Sequence, residues 1–195
     1  MARNILFLDL DRTLLDTDLF VEEFWHAAAK LYNFDPIHQI AQLASWYKPV
    51  GNFGYYSVED HVRAALGKTA AEVGEAVRPL IQHIDFTYPD TAEIKDWQAR
   101  GDYELRILTF GERWLQTYKL SLTPTLSALP CDIILVAKGD FIAKNFTDAQ
   151  GFLIDDKRGN RLPPNFKEIW INRRTDMKIP ETITIHSLAE VKGVL

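Results

Sequence analysis

The sequence predicts an α/β fold in which helices flank a mostly parallel β-sheet and a helical segment is inserted after the first strand. Short apolar runs alternate with segments of helical spacing, which is the pattern of a parallel α/β sheet. A long stretch with helical patterning, from about residue 18 to residue 83, separates the first two runs. A chain of 195 residues, 47% hydrophobic and 25% charged, is sufficient for one well-buried core with a modest insertion.

The apolar runs predict the strands of the sheet. They are continuous rather than alternating, as expected for strands that are buried on both faces. The predicted strands are residues 5–8, 105–108, 133–136 and 152–154, with weaker candidates at 169–171 and 183–185. Helices are predicted between them, at residues 91–100, where Gly101 follows, and from Glu112 towards Leu120.

The inserted segment divides the chain into a core, residues 1–17 and 84–195, and an insert, residues 18–83. Phe20, Phe24 and Leu31 fall on one face of a predicted helix. Two pairs have the spacing of helix capping boxes, namely Ser57 with Asp60 and Thr69 with Glu72. Residues 46–56 contain proline and glycine among aromatic residues, so a loop between helices is predicted there.

Charge, cysteine content and hydropathy narrow the possible partners. The net charge of −5 and the lack of a Lys/Arg run argue against a nucleic-acid partner. The single cysteine, Cys131, fits a reducing compartment. The first residues lack the features of a signal peptide, and no apolar run has the length of a membrane span. We therefore expect a cytoplasmic protein, monomeric or homodimeric, that binds neither nucleic acid nor membrane.

Two acids follow the first predicted strand. Asp9 and Asp11 are two residues apart, so alternation along an extended chain directs both side chains to the same side. Ligands of parallel α/β sheets bind beyond the carboxyl ends of the strands. A solvated polar turn or a helix N-cap would explain the same pair equally well, so the pair alone does not identify a site.

Polar side chains follow three further strands at the corresponding end. Thr109 ends the second strand and precedes Gly111, and Asp155 with Asp156 follows the strand at 152–154. A capping threonine and an acidic turn are the ordinary explanations of each feature taken singly. Their coincidence at one edge of the sheet favours a site instead. Lys138, just after the third strand, is the favoured lysine of this site, and Lys144 is the alternative.

Carboxylates gathered at one edge repel one another and are costly to bury unless a hard cation neutralises them. Magnesium is the expected ion, because it prefers oxygen ligands and is commonly held by one or two carboxylates together with substrate phosphate. The sequence thus predicts a magnesium site that involves Asp9, Asp11, Asp155 and Asp156.

These residues resemble the motifs of the haloacid dehalogenase (HAD) superfamily of phosphohydrolases. Residues 9–13, Asp-Leu-Asp-Arg-Thr, match its first motif, Asp-x-Asp-x-Thr. Thr109 matches the second motif, Lys138 the third and the Asp155-Asp156 pair the fourth, in the same order along the chain. The resemblance covers essentially the whole chain and implies a three-layer, Rossmann-like parallel sheet with an inserted helical cap domain.

The resemblance implies a role for each matching position. Asp9 would be the nucleophile that forms an aspartyl phosphate and binds magnesium, and Asp11 would be the general acid and base, with its backbone carbonyl near the metal. Thr109 and Lys138 would hold the phosphoryl oxygens. Asp155 and Asp156 would supply or orient the remaining metal ligands.

The resemblance also implies a binding site for the substrate. Thr13, Phe110 and Gly111, which lie within or next to the motifs, are the expected substrate-binding residues of the core. The cap would close over the site and select the leaving group. Several aromatic residues of the insert are candidates for a stacking surface, although filling the core of a helical bundle is the commoner role: Trp25, Trp46, Tyr47, Phe53, Tyr55 and Tyr56.

The leading interpretation is a magnesium-dependent phosphatase that acts on a small phosphorylated metabolite. A phosphotransferase or mutase on the same site differs only in the group that accepts the phosphoryl group. A non-catalytic binding protein that keeps the fold is the alternative of a different class. The retention of both acids of the first motif, and of a threonine and a lysine at the later motifs, argues against that alternative.

Overall fold

A computed structural model describes residues 3–51 and 53–195 of the chain. Six strands of the described residues form one sheet: β1 (Arg3–Leu8), β4 (Glu104–Phe110), β5 (Cys131–Ile134), β6 (Ala149–Asp155), β7 (Phe166–Ile171) and β8 (Ile183–Ile185). Their order in the sheet is β5-β4-β1-β6-β7-β8, and every pairing between neighbours is parallel. The predicted α/β fold class is confirmed.

Helices connect the strands and form the inserted segment. The insert contains α1 (Thr17–Tyr32), α2 (Pro36–Ala41), α3 (Val58–Leu66) and α4 (Ala70–Ile81). The core contains α5 (Glu93–Arg100), α6 (Arg113–Ser121), α7 (Pro124–Ser127) and α8 (Lys138–Asn145). Short 3-10 turns lie at Leu43–Trp46, Pro89–Ala92 and Leu188–Gly193. Thr69 and Glu72 form the complete capping box expected at the start of α4, and Ser57 caps α3.

The third predicted strand is shorter than the apolar run that predicted it. The run extends to Val136, but β5 ends at Ile134, and the side chains of Leu135 and Val136 are 44% and 52% exposed. β5 lies at the edge of the sheet and pairs only with β4, whose final residue Phe110 is opposite Ile134. Because the partner strand ends there, the remaining apolar residues have no ladder to join.

The loop predicted at residues 46–56 is wrong, because this region forms an antiparallel hairpin of β2 (Tyr47–Val50) and β3 (Phe53–Tyr56). Gly51, with a φ of +57°, lies at the turn, where a left-handed conformation suits glycine. Pro49 is tolerated because both strands of a two-stranded ribbon are edge strands. The proline and glycines that indicated a loop therefore mark a hairpin, and its aromatic residues favour the strand conformation.

The sheet is buried on both faces. Along β1, Ile5 and Phe7 belong to one hydrophobic cluster, whereas Leu6 and Leu8 belong to a larger cluster. This division follows from the alternation of side chains along a strand. Helices of the insert, including α1, contribute to the larger cluster. Within the described ranges, none of the helices combines the length and the apolar character that crossing a bilayer demands.

Candidate active site

Strands β1 and β6 place two buried aspartates side by side at the carboxyl edge of the sheet. The backbone N–H of Asp9 donates to the carbonyl of Ile154 at 2.9 Å, which continues the pairing of β1 with β6 beyond Leu8. Asp155 is the last residue of β6. The two residues are only 5% and 1% exposed. The sheet therefore brings together two acids that are far apart in the sequence.

Asp9, Asp155 and Asp156 form a cluster of carboxylates. One oxygen from each lies within 4.8 Å of the others. Burial, together with the charges of Asp155, Asp156 and Asp11, raises the pKa of Asp9, although Lys138 opposes this effect. Burial and the charge of Asp155 raise the pKa of Asp156 to about 6. The cluster is thus held against electrostatic repulsion, which a cation relieves.

Lys138 supplies one positive charge within this cluster. Its Nζ lies 2.5 Å from Asp9 Oδ1 and 2.7 Å from Asp155 Oδ2, and the side chain is buried. Burial opposes the charged form, but the two carboxylates outweigh it and hold the pKa of Lys138 above its ordinary value. Lys144, the alternative site lysine, is exposed on the same helix α8. The structure therefore brings Lys138 to the predicted site.

The loop that follows β6 packs closely against the start of α8. A Cβ atom on Gly139 would lie 2.2 Å from the carbonyl oxygen of Asn160 and 2.4 Å from that of Arg161, so only glycine fits. The side-chain amide of Asn160 donates to Asp155 at 3.1 Å and to Glu168 at 2.7 Å. The close approach of the loop to Gly139 fixes the position of α8, the helix that carries Lys138.

The side chain of Asp11 faces a different set of partners. Lys119 Nζ and the Thr17 hydroxyl donate to its Oδ1 at 2.5 Å and 2.7 Å, and Gln116 Nε2 donates to its Oδ2 at 2.8 Å. Burial raises the pKa of this carboxyl, but the ion pair with Lys119 and the hydrogen bonds outweigh it and lower the pKa to about 2. Asp11 is therefore an ionised carboxylate, and its side chain is not part of the three-carboxylate cluster.

Sequence reasoning missed Lys119 and Gln116. Both lie on α6 and are buried, with exposures of 2% and 3%, among the apolar residues of that helix. The sequence did contain one indication: Lys119 lies four residues after Leu115, on the same face of the predicted helix. A lysine on a core-facing position implies an anionic partner, because burial of an unpaired ammonium is costly.

Two threonines of the motifs are fully buried, Thr13 and Thr109. Among the described residues, neither hydroxyl has a hydrogen-bond partner. The backbone carbonyl of Thr13 is nevertheless well held, because the guanidinium of Arg173 donates to it at 2.7 and 3.1 Å. An unpaired buried hydroxyl is costly, and neither threonine is among the residues that line the cavity described below.

Arg173 joins the loop of the first motif to two other segments. Its guanidinium makes a bidentate pair with the Asp90 carboxylate, in which both N to O distances are 2.9 Å. The guanidinium carbon lies 4.0 Å from the ring centre of Tyr88. Asp90 also accepts from the Ser187 hydroxyl at 2.7 Å and from the backbone of Leu188 at 2.8 Å. Bidentate pairs of this kind are geometrically specific, so the arrangement fixes the loop that carries Thr13.

A cavity of about 910 Å³ lies between this site and the insert. On the side of the core, the cavity is lined by the four acids of the motifs and Lys138, and by Phe110 and Gly111. The insert contributes α2 and the β2–β3 hairpin. The aromatic residues of the insert divide into two groups. Trp25 is buried in the larger hydrophobic cluster, and Trp46 stacks on His61, with ring centres 5.1 Å apart. The other four line the cavity: Tyr47, Phe53, Tyr55 and Tyr56.

The donor set of the cluster fits a hard divalent cation. Three carboxylates converge without a histidine or cysteine among them, and oxygen-only sets of this type suit Mg²⁺. The pKa values of Asp9 and Asp156 are raised because ionised carboxylates are costly to bury close together, and a bound cation would offset that cost. The predicted acids and lysine of the site thus fall into two places, with Asp9, Asp155, Asp156 and Lys138 in the cluster and Asp11 beside Lys119.

Comparison with known proteins identifies the fold. No protein-family model and no curated protein matches the sequence. Solved structures of HAD proteins do match, at sequence identities that establish the fold alone. A HAD hydrolase of Bacillus subtilis, YfnB, whose structure contains magnesium, is 15% identical with a TM-score of 0.67, over 100% of this chain and 99% of that chain.

Two further structures show the range of chemistry found on this fold. A HAD phosphatase of Thermococcus onnurineus is 16% identical with a TM-score of 0.67, over 98% of this chain and 97% of that chain. A dehalogenase is 16% identical with a TM-score of 0.58, over 100% of this chain and 97% of that chain. The predicted HAD-like fold is confirmed, and the fold alone does not choose between these reactions.

Proposed function

We propose that this chain, which has the haloacid dehalogenase fold, is a magnesium-dependent phosphatase that hydrolyses a small phosphorylated metabolite through an aspartyl phosphate. The observation that supports this most strongly is the contact between Lys138 and the buried carboxylate of Asp9, at 2.5 Å, at the rim of the cavity. A buried nucleophile beside a fixed cation suits phosphoryl transfer, which depends mainly on positioning and charge neutralisation.

In the first half of the proposed reaction, a carboxylate oxygen of Asp9 forms a bond to phosphorus while the bond from phosphorus to the ester oxygen breaks. The departing oxygen takes a proton from Asp11, which must bind that proton from solvent beforehand, since Asp11 is ionised while it is paired with Lys119. Lys138 and the hydroxyl of Thr109 hold the phosphoryl oxygens during transfer. The products of this step are an alcohol and a phosphorylated Asp9.

In the second half, Asp11 takes a proton from water, which attacks phosphorus and breaks its bond to Asp9. The pair with Lys119 and the hydrogen bonds from Thr17 and Gln116 keep Asp11 ionised, and the ionised form is the one that can accept a proton. Its role as an acid requires Asp11 to leave Lys119, which raises the carboxyl pKa, and to carry a proton to the oxygen of the leaving group. Lys119 therefore belongs to the proposed site although it matches no motif.

Asp9, Asp155 and Asp156 are the residues that would hold magnesium, because their oxygens converge within 4.8 Å. When bound, the ion neutralises the charge that gathers on the phosphoryl group. The side chains of Asp155 and Lys138 also orient Asp9, since Lys138 bridges both carboxylates. We propose the ligand set that the sequence predicted, in which Asp11 contributes through its backbone carbonyl.

The presence of Asp11 in the cavity supports phosphate chemistry over carbon–halogen cleavage. Resemblance to the superfamily implies that its dehalogenases need no acid two residues after the nucleophile. In this chain that acid is retained, lines the cavity and has three hydrogen-bond donors. A carboxylate that is positioned in this way suits a reaction in which Asp11 transfers a proton to the ester oxygen.

The test is a panel of phosphate esters assayed with Mg²⁺ and with EDTA, for the wild type and for Asp9→Asn. We expect magnesium-dependent release of inorganic phosphate by the wild type and a loss of at least about a thousandfold in the variant. The matched control is Asp176→Asn, an exposed aspartate outside the cavity, which should retain activity. Circular dichroism would verify that both variants are folded.

Acid-quenched samples analysed by intact mass spectrometry should show one added phosphoryl group on the wild type during turnover and none on Asp9→Asn. Transfer of phosphate to a second alcohol rather than to water would indicate a phosphotransferase on the same site. Absence of magnesium-dependent hydrolysis across the panel, or full activity of Asp9→Asn, would refute the proposed mechanism.

A further inference from the structure

We infer that the leaving group of the substrate is an apolar, aromatic alcohol, bound by the aromatic side chains of the β2–β3 hairpin and by Phe110. This inference rests on the proposed phosphatase function and concerns the other half of the same cavity. The four aromatic residues of the hairpin that line this cavity have no part in the chemistry proposed above.

An aromatic surface begins directly beside the phosphoryl position. Phe110 follows Thr109 in β4, and its ring centre lies 5.7 Å from that of Phe53 and 6.5 Å from that of Tyr55. The hairpin of the insert therefore meets the core at the residue next to the second motif. These rings line the same cavity as Asp9, so they are available to an alcohol whose phosphoryl group is bound at Asp9.

The apolar surface continues onto helix α2 of the insert. Ile37 and Ile40 line the cavity with Phe53. Ile37 is 62% exposed and Phe53 is 43% exposed, although both are large apolar side chains. Apolar residues that are left exposed together in a concave site usually mark a binding surface for an apolar ligand.

Several charged side chains of the cavity already have partners. Arg12 pairs with Asp18 at 2.7 Å, Lys119 with Asp11 and Lys138 with Asp9. Arg158 packs over the ring of Trp170 at 4.9 Å. Because these groups already have partners, they offer little to the hydroxyl groups of a sugar or polyol.

Two further acids that line the cavity disfavour a second anionic group on the substrate. Glu22 is exposed on α1, and Glu112 lies at the start of α6 against the first turn of α3. Burial raises the pKa of Glu112, and hydrogen bonds from the Glu59 backbone and the Ser57 side chain oppose that shift. A leaving group that carried a carboxylate or a second phosphate would meet these acids.

The hairpin is held in place before any ligand binds. The Tyr56 hydroxyl lies 2.8 Å from His61 Nδ1, and His61 Nε2 lies 2.9 Å from Gln39 Oε1. Burial lowers the pKa of His61 to about 4, so the imidazole is neutral and can accept at one nitrogen while it donates from the other. This chain links β3 to α2, the two elements that carry the apolar surface.

The test compares 2-phenylethyl phosphate with glycerol 3-phosphate, in the presence of Mg²⁺. Both are esters of primary alcohols, so their intrinsic reactivities are similar and the comparison isolates binding of the leaving group. We expect kcat/KM to be about ten to a hundred times higher for the phenylethyl ester, the gain expected from burial of a phenyl group.

Phe53→Ala should lower the ratio of the two kcat/KM values by roughly fivefold, because it removes one ring of the apolar surface. The matched control is Met177→Ala, which truncates an exposed apolar side chain outside the cavity and should leave the ratio unchanged. Ligand-observed NMR with 2-phenylethanol should show binding to the wild type and weaker binding to Phe53→Ala, without any need for turnover.

The outcomes separate the two proposals. Hydrolysis of both esters with equal kcat/KM, or a preference for glycerol 3-phosphate, would overturn the apolar leaving group and keep the phosphatase function. No magnesium-dependent hydrolysis of either ester, nor of the wider panel, would overturn the phosphatase function itself. An unchanged ratio in Phe53→Ala would also overturn the role of the hairpin.

Discussion

The ammonium of Lys119 lies 2.5 Å from the carboxylate of Asp11, although 107 residues separate them in the sequence. The lysine reaches Asp11 from α6, the helix that directly follows the second motif. Since Lys119 is 2% exposed, the pair is shielded from solvent on the side of the lysine. The two halves of the proposed site are therefore each built around one lysine, Lys138 for Asp9 and Lys119 for Asp11.

Replacement of Lys119 by methionine should destabilise the protein in a pH-dependent way. Burial raises the pKa of Asp11, but the pair with Lys119 and the hydrogen bonds from Thr17 and Gln116 outweigh it and lower the pKa from 3.8 to about 2. A depressed carboxyl pKa contributes stability that is present above the ordinary pKa and is lost as the pH falls through the depressed value. We expect Lys119→Met to lose about 1–2 kcal/mol of unfolding free energy at neutral pH, and less below about pH 3.

Urea unfolding of both proteins at several pH values would measure this difference. Lys95→Met, at an exposed position of α5, is the matched control and should be nearly neutral at every pH. A loss that stays constant from neutral pH to pH 2 would mean that the ion pair with Asp11 is not its cause.

Lys138→Met should be more damaging than the equivalent change at Lys144. Removal of Lys138 leaves Asp9 and Asp155 buried without their shared cation. Breaking a buried pair in this way costs about 3–5 kcal/mol. Lys144 lies on the same helix but is exposed, so Lys144→Met should change stability by less than about 0.5 kcal/mol.

Added MgCl₂ should restore part of the stability of Lys138→Met, because the ion can neutralise the same carboxylates. Thermal unfolding with and without MgCl₂ would measure both effects. Equal destabilisation by the two lysine substitutions would contradict the proposed role of Lys138.

Stabilisation of the wild type by Mg²⁺ should grow as the pH rises. Burial and neighbouring acids raise the pKa of Asp9, and they raise the pKa of Asp156 to about 6. Their folded-state pKa values exceed the ordinary ones, so protons compete with the metal at low pH and ionised carboxylates are available at higher pH. We expect a larger shift of Tm by MgCl₂ near pH 8 than near pH 5.

Potassium chloride at matched ionic strength is the control for general screening. Asp156→Asn, which removes one carboxylate from the cluster, should reduce the shift produced by Mg²⁺. A shift that is independent of pH, or that potassium chloride reproduces, would argue against a cation site at these aspartates.

Gly139→Ala should disturb the site through the backbone. The new Cβ would lie 2.2 Å from the carbonyl oxygen of Asn160, so either α8 or the loop after β6 must move. Overpacking of this kind costs about 1–3 kcal/mol, and the movement would displace the neighbouring Lys138. Gly193→Ala is the matched control, because a Cβ there meets no atom within 4 Å.

The denaturation midpoint and the kcat of ester hydrolysis should both fall in Gly139→Ala and remain unchanged in Gly193→Ala. If Gly139→Ala were as stable as the wild type, the loop after β6 would be able to move aside without loss of stability. That result would contradict the role of Gly139 in positioning Lys138.

Much of the sheet and its acidic edge could be predicted from sequence, because these features depend on local signals. Buried parallel strands require continuous apolar runs, and residues 5–8 and 152–154 have no other simple explanation. Because such strands share one direction, the acids that follow them must lie at the same edge. Lys138 was accessible to the same reasoning, although the apolar run before it overstated the length of β5.

The remaining features depend on tertiary contacts that no local pattern specifies. Lys119 is a helix-favouring residue on a helix, and only the approach of Asp11 distinguishes it from a surface lysine. The β2–β3 hairpin carried glycine and proline, which mark loops and tight hairpin turns alike. The division of the aromatic residues between the core and the cavity followed from the position of that hairpin.

The pairing of Arg173 with Asp90 and with the carbonyl of Thr13 makes the last part of the chain a support for the first motif. Ser187 and Leu188 complete that support from the C-terminal region. Shortening the chain before Ser187 would thus leave every proposed catalytic side chain in the sequence but loosen the loop between Asp11 and Leu14. Truncated forms made for crystallography or assay should therefore keep Ser187 and Leu188.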